Sequence, residues 1–256
     1  MAREKNRDDR EFDKTQLKLT GHGKTLHRDY AAHWFRWSFA RRFITNKSNV
    51  LEVGCGEEKP LSKIITGGAA AHVNTYVGVD LNKLKPSGSQ RLTFIGEFNF
   101  VERWKELVKL RPEGYDVLVT FEVLEHMRSD HQVKFLKGCF TCLKSGGTML
   151  LSTPCYDGVH HAANHIRELT IDELNKMVVK TGFKVEQRFG TFMDIKHIGK
   201  SGIRGQSWSV GQVSDISIKE VKDALSQYFD NDAISNIFGP LYPDAARNNV
   251  WVCKKP

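Results

Sequence analysis

The strongest constraint on the fold is a regular alternation of short apolar runs with stretches of helical spacing. Seven runs are predicted to be strands, at 49–53, 75–80, 92–95, 115–121, 147–153, 183–189 and 249–254. Strands that alternate with helices predict a mainly parallel sheet covered by helices on both faces, which is an α/β fold. The 256 residues suffice for one large domain of this kind or two small ones. Ligands of such sheets bind beyond the carboxyl ends of the strands, so the residues that follow a strand are the first candidates for function.

The first strand leads directly into a glycine turn. In NVLEVGCGEEKPLSKII, the apolar run from Val50 to Val53 is followed by Gly54 and Gly56 and then by a predicted helix. Glycines at such a turn let backbone N–H groups approach a ligand closely, and the start of the helix favours negative charge. The next strand ends at Asp80, 24 residues beyond Gly56. An acid at that spacing is placed to accept hydrogen bonds from the hydroxyl pair of a ribose.

The residues after the turn argue against a cofactor that carries phosphates. The third glycine of the dinucleotide-binding pattern is absent, and Gly56 is followed by Glu57, Glu58 and Lys59. Two glutamates would repel a pyrophosphate, which disfavours NAD and FAD. S-adenosylmethionine (SAM) needs the ribose acid and a close backbone approach but no phosphate cradle. The pattern therefore favours SAM.

From about residue 48 to its C-terminus the sequence resembles the class I SAM-dependent methyltransferases. The segments that carry the resemblance are LEVGCG, GVDL, FIGEF, YDVLVTFEVLEHM and LKSGGTMLLSTP, in the order in which that family has them. The resemblance implies a Rossmann-like, seven-stranded sheet whose last strand, in ARNNVWVCKK, is antiparallel. It also implies a SAM site with Glu52, Gly54 and Gly56 around the methionine portion, Asp80 and Leu81 at the ribose, Glu97 and Phe98 beside adenine, and Phe121 at the end of the fourth strand.

The segment FEVLEHMRSDH places two carboxylates and a histidine directly after the fourth strand. If the chain is helical from residue 122, then Glu122, Glu125 and His126 share one helical face through their i, i+3 and i+4 spacing. Such a set could converge on Mg²⁺ or Mn²⁺. The loop after the fifth strand adds three histidines at the same edge of the sheet: His160, His161 and His165.

Two subfamilies resemble this part of the chain. The ubiquinone-biosynthesis O-methyltransferases have a similar EVLEH segment that is associated with a divalent metal. The small-RNA 3′-terminal 2′-O-methyltransferases are similar over a longer stretch, and by position their metal ligands would be Glu122, Glu125, His126 and His165. EVLEH also occurs in enzymes of this superfamily that use no metal. We therefore keep three readings of the cluster: a metal site, a catalytic site in which His126 is the base or positions the substrate, and a structural loop.

The N-terminal residues 1–48 are basic and rich in aromatic side chains. They contain twelve Lys or Arg against six Asp or Glu, which accounts for most of the formal net charge of +8. Tyr30, Trp34 and Trp37 would fall on one helical face. Such a helix either packs its aromatic face on the main domain with its arginines in water, or it forms a lid over the substrate. We expect residues 1–48 to be a helical extension and residues 49–256 to be the methyltransferase domain, with an insertion at about 191–248 that offers Lys196, His197, Lys200 and Arg204.

The five cysteines do not form a disulfide framework, and we expect free thiols. Cys139 and Cys142 form a C-x-x-C pair, but they lie at helical spacing with apolar residues, and no second pair completes a zinc site, so we predict that they belong to the core. No run of about 18 apolar residues suggests a membrane span, and no secretory leader is evident, so a cytoplasmic protein without membrane association is expected.

Three functions remain open at this point. The first is an enzyme that methylates a hydroxyl or an amine of a small-molecule acceptor. The second is a metal-dependent nucleic-acid methyltransferase that acts on a ribose 2′-hydroxyl or a modified base. The third is a SAM-binding protein without catalytic activity, for which an intact glycine turn and ribose acid are poor evidence.

Overall fold

The computed structural model describes residues 30–57, 60–66, 73–87, 89–156, 162–193, 224, 227–228, 239–241, 243 and 246–256. Within them seven strands form one sheet: β1 Asn49–Val53, β2 Thr75–Val79, β3 Leu92–Ile95, β4 Tyr115–Phe121, β5 Leu143–Pro154, β6 Lys184–Met193 and β7 Ala246–Lys254. The α-helices of this part are α1 Tyr30–Arg41, α2 Pro60–Thr66, α3 Phe100–Leu110, α4 Ser129–Cys142 and α5 Ile171–Thr181. Short 3₁₀ turns span Leu124–His126 and Gly239–Leu241. None of these helices is long and apolar enough to cross a bilayer.

The sheet has the strand order β3-β2-β1-β4-β5-β7-β6. The first five strands pair in parallel, and β7 is antiparallel to both β5 and β6. The predicted Rossmann-like sheet with an antiparallel last strand is therefore confirmed. The order changes direction between β1 and β4, where the carboxyl ends of the two strands flank a crevice suited to a ligand.

Two apolar layers cover the sheet. One layer packs α3, α4 and α5 through side chains such as Leu107, Phe135 and Leu174. The other packs α1 and α2 through Phe39, Leu61 and Ile65. Thr170 and Glu173 form a capping box at the start of α5, which fixes where the loop after β5 ends.

Helix α1 packs against the sheet instead of standing away from it. The ring centroid of Phe39 lies 4.8 Å from that of Phe189 in β6. Of the two alternatives, the packed helix with its arginines in water agrees with the exposed Arg41 and Arg42 but is wrong for Arg36, whose side chain is buried. The described part of the basic segment is therefore built into the fold, with one guanidinium turned inward.

The cysteine predictions are confirmed. All five thiols are free and buried, and Cys139 and Cys142 lie on the side of α4 that faces the core. Burial raises the pKa of the Cys139 and Cys142 thiols, which keeps them protonated and unreactive. Several other predictions concern segments outside the described residues: the first 29 residues, His160, His161, and Lys196, His197, Lys200 and Arg204 of the expected insertion.

Candidate active site

The glycine turn after β1 has the conformation that its sequence predicts. Gly54 and Gly56 have φ angles of 79° and 64°, in the left-handed region that side chains disfavour. The N–H of Gly54 donates to the carbonyl of Val79 at 2.9 Å, which ties the turn to the end of β2. A Cβ atom on Gly54 would lie 2.3 Å from Cγ2 of Val123, so the turn is also packed tightly against the chain that leaves β4.

Asp80 lies at the carboxyl end of β2 and faces this turn. Its side chain accepts a hydrogen bond from the N–H of Gly56 at 2.8 Å and another from the N–H of Asn82 at 2.9 Å. The residue is 6% exposed. The acid predicted from spacing is thus held beside the glycine turn by backbone donors, together with the side-chain amide of Asn82 at 3.0 Å.

Glu52 is buried beside Asp80 and is held by a partner that the sequence did not suggest. The hydroxyl of Tyr76 in β2 donates to Oε2 of Glu52. The pKa of Glu52 is raised to about 8: burial is the largest cause, the Tyr76 hydrogen bond lowers the pKa, and the nearby Asp80 carboxylate adds to the rise. One sequence feature could have indicated this pair. Gly78 lies opposite Glu52 in the register of β1 and β2, and a Cβ atom at that position would approach the Tyr76 ring to 2.9 Å.

The segment predicted to lie beside adenine follows β3. Glu97 is exposed and has a φ of 52°, and its N–H donates to the carbonyl of Asn82 at 2.9 Å. Phe98 is buried beneath the guanidinium of Arg103, whose central carbon lies 4.6 Å from the ring centroid. Leu81 exposes 43% of its surface next to Asp80, and Phe121 is partly buried at the end of β4. Of the four predicted contacts, Leu81 and Glu97 present exposed side chains.

The chain after β4 does not continue as the predicted helix. Glu122 has a φ of 57°, and its N–H donates to the carbonyl of Ser152 at 2.9 Å. A 3₁₀ turn then covers Leu124–His126, and α4 begins only at Ser129. The expected helical face of Glu122, Glu125 and His126 is therefore wrong, because Glu122 still pairs with β5 and reverses the chain there.

The carboxylate of Glu122 is bound by side chains of three other elements. Oε1 accepts a hydrogen bond from the Ser152 hydroxyl at 2.7 Å and lies 3.7 Å from a guanidinium nitrogen of Arg36. Oε2 accepts from the side-chain amide of Asn248 in β7. Arg36 also donates to the Thr191 hydroxyl at 3.2 Å. These contacts turn the Glu122 carboxylate towards α1 and β7.

Glu125, His126 and His165 come together at the carboxyl ends of β4 and β5. One potential ligand atom from each lies within 4.8 Å of the others, and all three residues are buried. The two imidazole centroids are 5.1 Å apart, with their planes at 86°. Three of the four residues predicted as metal ligands are thus neighbours, and the Glu122 carboxylate is not part of the group.

The loop that carries His165 is held against the 3₁₀ turn by the backbone of Glu125. The carbonyl of Glu125 accepts from the N–H groups of Ile166 and Arg167 at 2.9 and 3.0 Å. Sequence spacing could not show this contact. These hydrogen bonds explain how His165, 39 residues beyond His126 in the chain, comes to lie beside it.

The three side chains of the cluster present acceptor atoms to one another. Nδ1 of His126 lies 3.2 Å from the carbonyl oxygen of Asn164, which can only accept, so Nδ1 carries a proton, and in the neutral ring Nε2 is then the acceptor. Oε2 of Glu125 accepts from the Thr153 hydroxyl at 2.9 Å, while Oε1 has no hydrogen-bond partner among the described residues. Burial, followed by the nearby Glu122 carboxylate, raises the pKa of Glu125 well above its ordinary value. The cluster is therefore suited to hold a cation or a proton.

Comparison with known proteins identifies the family. A family model described as a methyltransferase domain matches residues 26–188, more than half of the chain. A probable SAM-dependent methyltransferase of Mycolicibacterium smegmatis is 36% identical over 167 residues, which cover 59% of this chain and 60% of that protein. The match spans less than two thirds of that relative's length.

Solved structures agree on the fold. A SAM-dependent methyltransferase from Archaeoglobus fulgidus has a TM-score of 0.56 at 16% identity, covering 90% of this chain and 95% of the other. The Burkholderia thailandensis 1,6-didemethyltoxoflavin-N1-methyltransferase has a TM-score of 0.52 at 15% identity, covering 88% of this chain and 78% of the other.

The residues present fit SAM. The left-handed glycine turn leaves room for close backbone approach, Asp80 is fixed beside it, and the buried Glu52 adds a carboxyl group near Asp80. Fold, glycine turn, ribose acid and family match agree with one another. The chain therefore belongs to the class I SAM-dependent methyltransferases.

Proposed function

We propose that this enzyme methylates a hydroxyl or an amine of a small-molecule acceptor that binds at Glu125, His126 and His165. The observation that carries the proposal is the convergence of three buried acceptor side chains on the turn whose residue Val123 packs against Gly54. Val123, two residues before Glu125 in the chain, therefore lies between the cofactor turn and the segment that carries Glu125 and His126. A nucleophile bound at the cluster would be close to the cofactor.

On the cofactor side, Glu52, Gly54 and Gly56 are proposed to surround the methionine portion and Asp80 to bind the ribose. Leu81, Glu97, Phe98 and Phe121 are proposed to line the remainder of that site. SAM supplies an electrophilic methyl group on its sulfonium. The protein then needs to orient the acceptor in line with that group and to remove a proton.

On the acceptor side, His126 is the proposed base. Its Nδ1–H is directed to the Asn164 carbonyl, which leaves the lone pair of Nε2 on the side of Glu125, whose Oε1 lies 3.9 Å away. An acceptor hydroxyl would donate to this nitrogen and pass it the proton as the new carbon–oxygen bond forms and the bond between the methyl carbon and the sulfur of SAM breaks, with S-adenosylhomocysteine as the leaving group. Glu125 would accept a second hydrogen bond from the acceptor, which fixes its orientation.

Three observations support a small acceptor. Each residue of the cluster is no more than 9% exposed, so a compact group is the best fit. The positive charge of Arg36 is turned inward onto Glu122 and is not offered to a phosphate backbone. The Burkholderia enzyme of the same fold was solved with the small molecule 1,6-didemethyltoxoflavin, so the fold can accommodate such an acceptor.

A second candidate is a metal-dependent methyltransferase that acts on a nucleic-acid ribose 2′-hydroxyl or a modified base. It is favoured by the grouping of Glu125 and His126 with His165, which combines one oxygen and two nitrogen ligands. A mixed set of this kind suits Mn²⁺ better than Mg²⁺, which prefers oxygen ligands. When bound, such an ion would lower the pKa of a coordinated hydroxyl.

The deciding experiment is transfer of a labelled methyl group from SAM to RNA, DNA and a small-molecule extract, each with Mn²⁺ or Mg²⁺ and with a chelator. The proposal expects label in the small-molecule fraction that is unaffected by chelator. Metal-dependent label in RNA or DNA would instead establish the second candidate. SAM binding without transfer to any of the three would favour the non-catalytic reading.

A further inference from the structure

Glu168 is a buried carboxylate that neither the sequence patterns nor the family resemblance singled out. It is 5% exposed and lies in the loop between β5 and α5. Its Oε1 lies 2.5 Å from Nδ1 of His165 and accepts from the N–H of Ala162 at 3.0 Å. One acid therefore contacts the imidazole and also fixes the backbone three residues before it.

The position of Glu168 is set by its neighbours in the chain. Leu169 forms a parallel bridge with Cys155, and its carbonyl accepts from the N–H of Tyr156 at 2.9 Å. Thr170 then begins the capping box of α5. Leu169 and Thr170 are thus anchored to β5 and α5, and they fix the backbone next to Glu168. The carboxylate of Glu168 can therefore hold His165 in a defined position.

We propose that Glu168 is a positioning residue that fixes His165 with its proton on Nδ1 and its Nε2 lone pair directed into the cluster. The inference rests on the proposed function only in taking Glu125, His126 and His165 as the acceptor site. An ionised carboxylate can only accept, so the contact at Nδ1 requires the proton on that nitrogen. The Asn164 carbonyl imposes the same tautomer on His126.

The partners of the two imidazoles differ in charge. A neutral carbonyl faces His126, whereas a carboxylate faces His165. A carboxylate behind an imidazole makes the opposite nitrogen a better acceptor, and carboxylate–histidine pairs of this kind support metal ligands. Of these two partners only Glu168 can carry a charge, so a variant that removes this charge tests its effect on His165 alone.

The alternative is that Glu168 only holds the loop through Ala162. The variant Glu168→Gln separates the two roles, because its amide oxygen can still accept from Nδ1–H and from the Ala162 N–H but carries no charge. Glu168→Leu removes both the charge and the acceptor. Asp172→Asn is the matched control, since Asp172 is an exposed acid four residues further on.

The first measurement is the ¹⁵N NMR spectrum of the imidazole nitrogens in the full-length protein, with His165 assigned by its loss in His165→Gln. We expect a protonated Nδ1 in the wild type and in Glu168→Gln, and a shift towards protonated Nε2 in Glu168→Leu. A wild-type ring with its proton on Nε2 would refute the proposal. This readout requires neither an acceptor nor a metal, so it tests Glu168 even if the proposed function fails.

The second measurement is calorimetric titration with Mn²⁺ alone. If the wild type binds the ion, Glu168→Gln should bind it about 10–100-fold more weakly while Asp172→Asn is unchanged. Equal affinity of the wild type and Glu168→Gln would show that the carboxylate only holds the loop. If the wild type does not bind Mn²⁺, the metal candidate fails, and the tautomer measurement alone decides the role of Glu168.

Discussion

Replacement of Arg36 by methionine tests whether helix α1 is joined to the active-site edge through Glu122. The Arg36 side chain is 2% exposed and lies between Glu122 and Thr191. Methionine keeps most of the apolar stem and removes the charge and the donors. The change therefore leaves the Glu122 carboxylate, which is 16% exposed, without its cation.

The expected cost follows from these contacts. Removing one partner of a buried ion pair costs about 3–5 kcal/mol, because the other charge is left uncompensated. Here the charges are 3.7 Å apart, and Glu122 keeps its hydrogen bonds from Ser152 and Asn248. We therefore expect a loss of about 2–3 kcal/mol in the free energy of unfolding, which corresponds to a fall of roughly 5–10 °C in Tm for a chain of this size.

The assay is urea unfolding of the wild type, Arg36→Met, Glu122→Gln and the double variant. If the two residues form a pair, Arg36→Met should destabilise Glu122→Gln less than it destabilises the wild type, with a coupling of about 1–2 kcal/mol. Arg41→Met, on the exposed side of the same helix, should stay within about 0.5 kcal/mol of the wild type. Additive effects, or equal losses in Arg36→Met and Arg41→Met, would refute the reasoning.

Three further outcomes are expected. In the same urea titration, Gly54→Ala should lower the free energy of unfolding by about 3 kcal/mol, because the residue has a left-handed backbone and its new Cβ would clash with Val123. Gly56→Ala should cost only about 1–2 kcal/mol, because it has the same backbone strain but open space around its Cβ. Calorimetry should show that Asp80→Ala loses SAM binding and that His126→Ala retains it; an equal loss in both would contradict the division into a cofactor side and an acceptor side. Between about pH 5 and pH 8, Glu52→Gln should gain about 2–4 kcal/mol of stability relative to the wild type. The pKa of Glu52 in the folded protein, about 8, lies above the ordinary 4.5, so the wild type loses stability as pH rises through that window. A stability difference between the two proteins that does not change with pH would mean that Glu52 is ionised in the folded protein.

The strands and the cofactor turn could be predicted because their signals are local. A buried strand needs a continuous apolar run, and a left-handed turn favours glycine. Both β1 and the turn at Gly54 can therefore be predicted from a few consecutive residues. The predicted bounds of β1, β3 and β4 agree with the structure. β5 begins earlier than predicted and β6 ends later, because pairing to a neighbouring strand extends each beyond its apolar core.

The acceptor site was harder to predict from the sequence because its contacts are between residues far apart in the chain. Glu122 was assigned to a helix from its spacing to Glu125, yet its partners Arg36 and Asn248 lie 86 and 126 residues away in sequence. Tyr76 and Glu168 were missed for the same reason. Neither residue belongs to a local sequence pattern. Tyr76 contributes through its hydrogen bond to Glu52, and Glu168 through its contact with His165.

The backbone of Glu122 connects the two halves of the site. A non-glycine residue in the left-handed region is strained by roughly 1–2 kcal/mol, and such strain persists where the surroundings determine the conformation. Here Ser152, Asn248 and Arg36 bind the side chain, and β5 binds the N–H. The reversal at this residue lets Val123 contact the glycine turn and brings Glu125 to the cluster. Glu122 is therefore proposed to act through the backbone: it sets the spacing between cofactor and acceptor, although its carboxylate lies outside the group formed by Glu125 and the two histidines.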